Sequence, residues 1–157
     1  MESCCFTGHR RLPAGAAGIR VISLIEDAVK EAYAMGCRRF FAGGALGFDM
    51  LAAAVVCRLR DADLSDISLH LLLPCRDQDS RWSERDRARY RKMIELADTH
   101  VYLYDSYSDG VMAARNRALV AASDLCIAYM TSPGSGTGLT VSMARKRGIP
   151  VINLAER

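Results

Sequence analysis

Short apolar runs alternate with longer amphipathic segments along the whole chain. Within 16–35, for example, apolar residues recur at helical spacing at Ile22, Ile25, Val29 and Tyr33, opposite the charged Asp27, Lys30 and Glu31. Apolar runs of strand length occupy 4–7, 38–42, 67–73, 99–104, 125–130 and 151–154. Between them, helical patterns occupy 16–35, 46–60, 84–97, 112–122 and 139–147. The alternation of the two periods predicts a β-α-β chain.

A regular β-α-β order predicts an α/β fold with three layers. The expected architecture is a doubly wound, mostly parallel sheet of about six strands, with helices on both faces. The sequence shows no repeat, linker or low-complexity tract, so residues 1–157 are expected to form one domain. Ligands of such folds bind beyond the carboxyl ends of the strands, where the strand order switches.

Glycines, hydroxyl groups and cations follow the ends of the predicted strands. The glycines at 134, 136 and 138 permit close backbone approach, and the positive end of the following helix favours a phosphate. The alternative is a strand-to-helix turn without a ligand. The candidate ligand-binding residues at these strand ends are Thr7, Gly8, His9, Arg10, Gly43, Gly44, Gly47, Asp49, Pro74, Gln78, Trp82, Arg115, Asn116, Gly134, Ser135, Gly136, Thr137 and Thr140.

Several of these residues carry a more specific chemical expectation. Arg10 is suited to clamp a phosphate in a bidentate manner. Asp49 either accepts a ribose hydroxyl or caps its helix. His9 is more often a hydrogen-bonded structural residue than a catalyst. Trp82 either packs its loop against the body of the protein or stacks on a base.

Composition and charge narrow the class of partner. The chain has 157 residues, is 50% hydrophobic and carries a formal net charge of +3. Segment 76–92 holds seven basic and four acidic residues, which accounts for this whole surplus. A surplus confined to a segment that begins at the ligand edge favours a small phosphorylated ligand over nucleic acid. The apolar runs are shorter than a membrane span, and a strand begins almost at Met1, so a cytoplasmic protein without a membrane partner is expected.

The six cysteines fit a reduced protein without a metal. They form no CxxC motif and no His/Cys pair with metal-ligand spacing. Five lie among apolar neighbours and are expected to be buried, whereas Cys75 follows Pro74 in a polar stretch that predicts an exposed turn.

Five stretches taken together resemble one known family. They are Cys5–Arg10, Gly43–Asp49, Leu73–Cys75, Gln78 with Trp82, and Met112–Arg117. In this order they are similar to the YpsA-like proteins of the SLOG superfamily, and the resemblance covers essentially the whole chain. It implies a Rossmann-like fold and a nucleotide or ADP-ribose-like ligand, with no cofactor required. It also implies a link with bacterial cell division and, by analogy, a homodimer.

Relatives in that superfamily suggest two alternative functions. LOG enzymes, which release cytokinin bases from nucleoside monophosphates, imply a catalytic role for Arg115, but Thr140 stands about where their glutamate belongs. Without that carboxylate the expected acid/base group is missing unless Asp49 replaces it, which favours a binding or sensing protein over a phosphoribohydrolase. Kinship with the DNA-processing protein DprA suggests DNA binding through Arg85–Lys92. The interleaved acidic residues there favour a solvated helix face instead.

Overall fold

The computed structural model of the chain describes residues 1–157 and contains six strands and five α-helices. The strands are β1 (Ser3–Gly8), β2 (Arg39–Ala42), β3 (Ser68–Cys75), β4 (Thr99–Tyr104), β5 (Leu125–Tyr129) and β6 (Val151–Asn153). The helices are α1 (Gly15–Ala34), α2 (Phe48–Ala62), α3 (Glu84–Leu96), α4 (Val111–Ala121) and α5 (Gly136–Lys146), and a short 3₁₀ turn covers Leu154–Glu156. No helix combines the length and apolar character that crossing a membrane requires.

All six strands belong to one sheet in the order β4-β3-β2-β1-β5-β6. Every neighbouring pair is parallel, so the sheet is parallel throughout rather than mostly parallel. β1 lies at the centre, and Cys5 is paired with Phe41 on one side and with Cys126 on the other. The chain proceeds outward from β1 through β2 to β4 and then returns to β5. The ends of β1 and β5 therefore form the switch point where a ligand is expected.

Alternate residues of the central strands supply two apolar layers. Cys4 and Phe6 of β1 join the larger core with α1, α2 and α3, whereas Cys5 joins a smaller one with α4 and α5. Because successive side chains of a strand point to opposite faces, this division places helices on both sides of the sheet. The predicted three-layer, doubly wound α/β architecture is confirmed.

β3 continues through Cys75, beyond the end that the sequence predicts. β2 ends at Ala42, which pairs with Leu71, so the last residues of β3 have one edge without a neighbouring strand. A proline is tolerated at such an edge, and Pro74 therefore lies inside the strand. The expectation of an exposed turn at Cys75 is wrong, because its side chain is buried. All six cysteines are buried and unbridged.

α5 begins at Gly136, three residues before the predicted start. Ser135 caps the helix, and its Oγ accepts the N–H of Gly138 at 3.1 Å. A Cβ at position 138 would overlap the carbonyl oxygen of Pro133, so glycine is required there by close packing. A Cβ at position 136 would meet no atom within 4 Å, so the surroundings of Gly136 are open. Two of the glycines predicted to form a loop thus belong to the first helical turn.

Gly8 at the end of β1 provides a test of this packing. A Cβ at that position would overlap the ring of Phe48, which is fully buried. We expect Gly8→Ala to lower the free energy of unfolding by about 1–3 kcal/mol, as overpacking of a core does. Urea unfolding measures the change. Gly134→Ala is the control, because no atom lies within 4 Å of its Cβ position, and an equal loss in both variants would contradict the packing argument.

Candidate functional site

A cavity of about 290 Å³ opens at the ends of β1 and β5. It lies at the switch point of the sheet, between the first turns of α4 and α5. Its lining consists of Phe6, Thr7, Gly8, His9, Arg10, Ala45, Asp49, Met112, Arg115, Asn116, Leu119, Ser135, Gly136 and Thr137. Ten of the eighteen residues proposed from the sequence therefore meet in one place, and we call this space the central cavity.

The first turn of α5 presents two free backbone donors to the central cavity. The first N–H groups of a helix have no partner within the helix itself. Here Ser135 Oγ accepts a hydrogen bond from the N–H of Gly138, and the carbonyl of Ser135 accepts one from the N–H of Leu139. The N–H groups of Gly136 and Thr137 are left over, and both residues line the cavity. This arrangement is suited to an anion. Ser135 Oγ also donates to the carbonyl of Ser132 at 2.6 Å, so its hydroxyl serves the turn.

Two arginines of different character line the cavity. Arg10 is exposed and makes no ion pair, so its guanidinium is available to a ligand. Arg115 is only 5% exposed, and its guanidinium donates to the carbonyl of Gly43 and, at 2.9 Å through Nε, to Asn116 Oδ1. The bond to Asn116 fixes the orientation of that amide, whose nitrogen remains available as a donor.

Asp49 is the one carboxylate that lines the central cavity, and it is almost completely buried. Burial raises the pKa of its carboxyl, while the Arg115 guanidinium, the N–H groups of Ala45 and Gly43, and Arg10 counter part of the rise. Burial conversely lowers the pKa of Arg115, and Asp49 opposes this shift. The two residues therefore act as one electrostatic unit beneath the cavity.

His9 connects the ends of β1 and β5. Its Nε2 accepts the backbone N–H of Thr131 at 2.9 Å, which leaves the proton of a neutral imidazole on Nδ1. The ring also contacts Tyr129 edge to face. These contacts favour the structural role of His9 among those considered from the sequence.

A second cavity of about 450 Å³ adjoins the first, and Arg10 and Met112 line both. Gln78 and Trp82 lie here and not in the central cavity. The indole of Trp82 contacts the ring of Tyr90, with centroids 5.2 Å apart, so it packs its loop against α3 while one part of it still lines the cavity. We call this space the side cavity.

Tyr90 lies beneath the side cavity with a buried hydroxyl that has no hydrogen-bond partner. Burial raises the pKa of Tyr90 to about 12. An unpaired buried hydroxyl costs about 1 kcal/mol or more, so Tyr90→Phe should raise the free energy of unfolding by about 1 kcal/mol at pH 7.

The pH dependence of this variant follows from the direction of the Tyr90 shift. The folded protein holds the phenolic proton more tightly than the unfolded chain, so this contribution to stability is complete below about pH 10. It is lost as the pH rises towards 12, and the phenylalanine variant escapes this loss. Urea unfolding between pH 7 and 11 measures the difference, which should widen above pH 10. A destabilised variant would show that the hydroxyl is bonded.

The remaining proposed residues line neither of these two cavities. A Cβ at Gly43 would lie 2.6 Å from Arg115 Nη1, and one at Gly47 would overlap the carbonyl of Arg10, so both glycines make room for cavity residues. The Leu73 side chain packs where a Cβ of residue 44 would lie, and the carbonyl of Gly44 accepts a hydrogen bond from Gln78 Nε2 at 3.2 Å. Pro74 is buried in β3, and Gly134 is exposed in the turn before α5. Thr140 is fully buried and donates to the carbonyl of Gly136 at 3.1 Å.

Sequence reasoning missed the residues that complete the two cavities. Met112, Leu119 and Ala45 form apolar walls of the central cavity, and Tyr107 and Arg81 line the side cavity. Tyr107 follows β4 at the same edge of the sheet, so the rule that ligands bind at strand ends would have found it. Of the seven basic residues in 76–92, only Arg81 borders either cavity, because α3 carries most of the others away from the site.

Comparison with known proteins identifies the family. The family model described as the YspA SLOG family matches residues 5–147, a span that includes all but the first residues of β1 and every residue of the central cavity. The chain belongs to the YspA SLOG family. The family expected from the resemblance is thereby confirmed.

Two curated relatives are themselves without an assigned activity in their names. The chain is 29% identical over 131 residues to UPF0398 protein BH1768 of Halalkalibacterium halodurans, an alignment that covers 82% of this chain and 65% of that protein. It is 27% identical over 120 residues to the uncharacterized SPbeta prophage-derived protein YoqJ of Bacillus subtilis, covering 69% of this chain and 70% of the other. The chain thus spans slightly less than two thirds of the length of the first of these relatives.

Solved structures share the fold of this YspA SLOG chain at low sequence identity. DNA processing protein A of Helicobacter pylori, described for its single-stranded DNA binding mode, superposes with a TM-score of 0.65 at 21% identity, over 96% of this chain and 63% of that one. The protein of Streptococcus pneumoniae with the same name superposes with a TM-score of 0.66 at 14% identity, over 96% of this chain and 49% of that one. The protein TM1055 superposes with a TM-score of 0.61 at 15% identity, over 96% of this chain and 72% of that one. These similarities establish the fold.

Proposed function

We propose that the protein binds a nucleotide or a nucleotide derivative in the central cavity and acts as a ligand-binding or sensing protein. The observation that carries the proposal is the pair of free N–H groups at Gly136 and Thr137, two residues that line the same cavity as the unpaired Arg10. Backbone donors at a helix start and a guanidinium are the groups that commonly hold a phosphate.

The charges of the cavity support an anionic ligand. Two guanidinium groups, Arg10 and Arg115, stand against the single carboxylate of Asp49. Because Arg115 is buried and bonded to Gly43 and Asn116, the exposed Arg10 is the guanidinium that remains for a ligand. The Phe6, Met112 and Leu119 side chains add apolar surface, which a sugar or base can cover.

Calorimetric titration tests the proposal directly. We expect AMP and ribose 5-phosphate to bind saturably, whereas adenosine, which lacks the phosphate, binds much more weakly. ADP-ribose is included because its diphosphate is also an anion that backbone donors and a guanidinium can bind. Equal binding of AMP and adenosine, or no binding by any phosphorylated ligand, would overturn the proposal.

Asp49 favours a second candidate function, cleavage of the N-glycosidic bond of a nucleotide. Burial raises its pKa, so the carboxyl holds a proton more readily than an exposed aspartate does, as a general acid requires. Thr140, at the position where a LOG enzyme would carry a glutamate, is buried and bonded to its own helix, so Asp49 would have to replace it. Incubation with AMP, NAD and ADP-ribose, followed by detection of free base, tests this activity. Turnover that survives Asp49→Asn would exclude Asp49 as the acid/base group.

Binding of DNA is the third candidate and has less support. The relation in fold to DNA processing protein A suggests it, and α3 offers a run of cations. Arg87 and Arg89, however, pair with Asp79 and Asp86, and the helix leads away from both cavities. A mobility shift that weakens steeply with salt would support DNA binding. A homodimer and a link with cell division stay predictions from the family resemblance.

A further inference from the structure

The side cavity has a chemical character different from that of the central cavity. Two aromatic side chains, Trp82 and Tyr107, line it together with the guanidinium groups of Arg10 and Arg81. Tyr107 is 57% exposed, so its ring is open to contact. Aromatic rings and guanidinium planes are the surfaces on which nucleobases stack.

The two cavities are neighbours. Arg10 and Met112 line both, so a ligand that passes Arg10 would reach from one into the other. The central cavity of about 290 Å³ is slightly smaller than the usual range of small-molecule sites, about 300–1,000 Å³. The side cavity of about 450 Å³ supplies the space that a ring system needs.

The loops that form the side cavity are held in place without a ligand. Asp77 Oδ1 accepts the backbone N–H of Tyr107 at 2.8 Å and so connects the loop after β3 to the loop after β4. Gln78 Nε2 donates to the carbonyl of Gly44, and Trp82 rests against Tyr90. The ring of Trp82 and the backbone of Tyr107 are therefore positioned in advance, which lowers the entropy cost of binding a ring in this cavity.

We propose that the side cavity is the base subsite of the protein, in which the heterocyclic base of a nucleotide stacks against Trp82 and Tyr107 while its phosphate lies at Gly136 and Thr137. This inference rests on the proposed function, since it takes the phosphate position from it. It adds that the ligand reaches across Arg10 and that Tyr107 and Arg81 contribute to affinity for the base.

Trp82 is the only tryptophan of the chain, so its fluorescence reports on the side cavity alone. With excitation at a wavelength that adenine does not absorb, we expect AMP to change the emission saturably. Ribose 5-phosphate should bind by calorimetry yet leave the emission almost unchanged. An AMP complex with unchanged emission would overturn the base subsite while leaving the phosphate site intact.

A pair of tyrosine variants completes the test. Tyr107→Ala should weaken AMP about tenfold and ribose 5-phosphate hardly at all, as loss of a stacking contact predicts. Tyr104→Ala is the matched control, because Tyr104 is 48% exposed but lines neither cavity. Equal losses for AMP and ribose 5-phosphate, or equal effects of the two variants, would overturn the inference. Failure of every phosphorylated ligand to bind would overturn the proposed function and this inference with it.

Discussion

Gly136→Asp is expected to abolish measurable binding of AMP without destabilising the protein. The new carboxylate would stand at the first position of α5, beside the N–H groups proposed to hold the phosphate. Loss of charge-assisted hydrogen bonds and repulsion of the phosphate should together weaken binding by about 100-fold or more. A carboxylate also interacts favourably with a helix start, so the free energy of unfolding should stay constant or rise by up to about 1 kcal/mol.

The opposite signs of these two effects make the Gly136→Asp test specific. Calorimetry measures AMP affinity, and urea unfolding measures stability. Gly136→Asn is the matched control, because it has nearly the same shape without the charge and no atom lies within 4 Å of the Cβ position. AMP affinity that is unchanged in the Asp variant would show that the anion does not lie at this helix start. An equal loss in the Asn variant would show that charge repulsion is not the cause of the loss.

Arg115→Met should cause the largest loss of stability, and the loss should depend on pH. The charge of Arg115 favours the ionised form of the buried Asp49 carboxyl, and leaving this buried carboxylate without that charge should cost about 3 kcal/mol at pH 7. Without Arg115, the pKa of Asp49 in the folded state rises further. The folded protein then takes up a proton more readily than the unfolded chain, so stability falls as the pH rises through this window.

The difference between Arg115→Met and the parent protein should therefore be greatest at neutral pH and shrink towards about pH 4, the usual value of an aspartate. Urea unfolding at several pH values measures it. The double variant Asp49→Asn with Arg115→Met removes the titrating group and should show a nearly constant difference. A pH-independent loss in the single variant would mean that Arg115 acts through packing and its bond to Gly43 alone.

The layered fold was predictable because a strand that is buried on both faces has an apolar sequence, which can be recognised within one segment. Leu69, Leu71 and Leu73 of β3 are fully buried, and the uninterrupted apolar second half of this segment indicates an inner strand. The start of α5 was not predictable in this way, since glycines disfavour a helix interior and only the Ser135 cap reveals where it begins. The loop at Cys75 was predicted wrongly because the free edge of β3 depends on where β2 ends.

The location of the central cavity was predictable from the sequence, but the contacts within it were less so. Arg10, Asp49 and Asn116 meet there because parallel strands end at one edge of the sheet. The carbonyl of Gly43 accepts a hydrogen bond from Arg115, 72 positions away, and the missing side chain of Gly43 leaves room for that guanidinium. A pattern along the sequence does not record such a long-range contact. Tyr107 was missed because a single tyrosine in a polar turn resembles an ordinary surface residue.

The central position of β1 has a consequence for synthesis of the chain. The donors proposed to hold the phosphate lie at Gly136 and Thr137, while Arg10 belongs to the first loop. A nascent chain can form β1–β4 early, but the binding site is complete only after β5 has inserted beside β1 and α5 has docked. A ligand that contacts both Arg10 and Thr137 would connect the loop after β1, which is synthesised early, to α5, which docks late. It should slow hydrogen exchange most in β5 and α5, where local opening separates the two halves of the site.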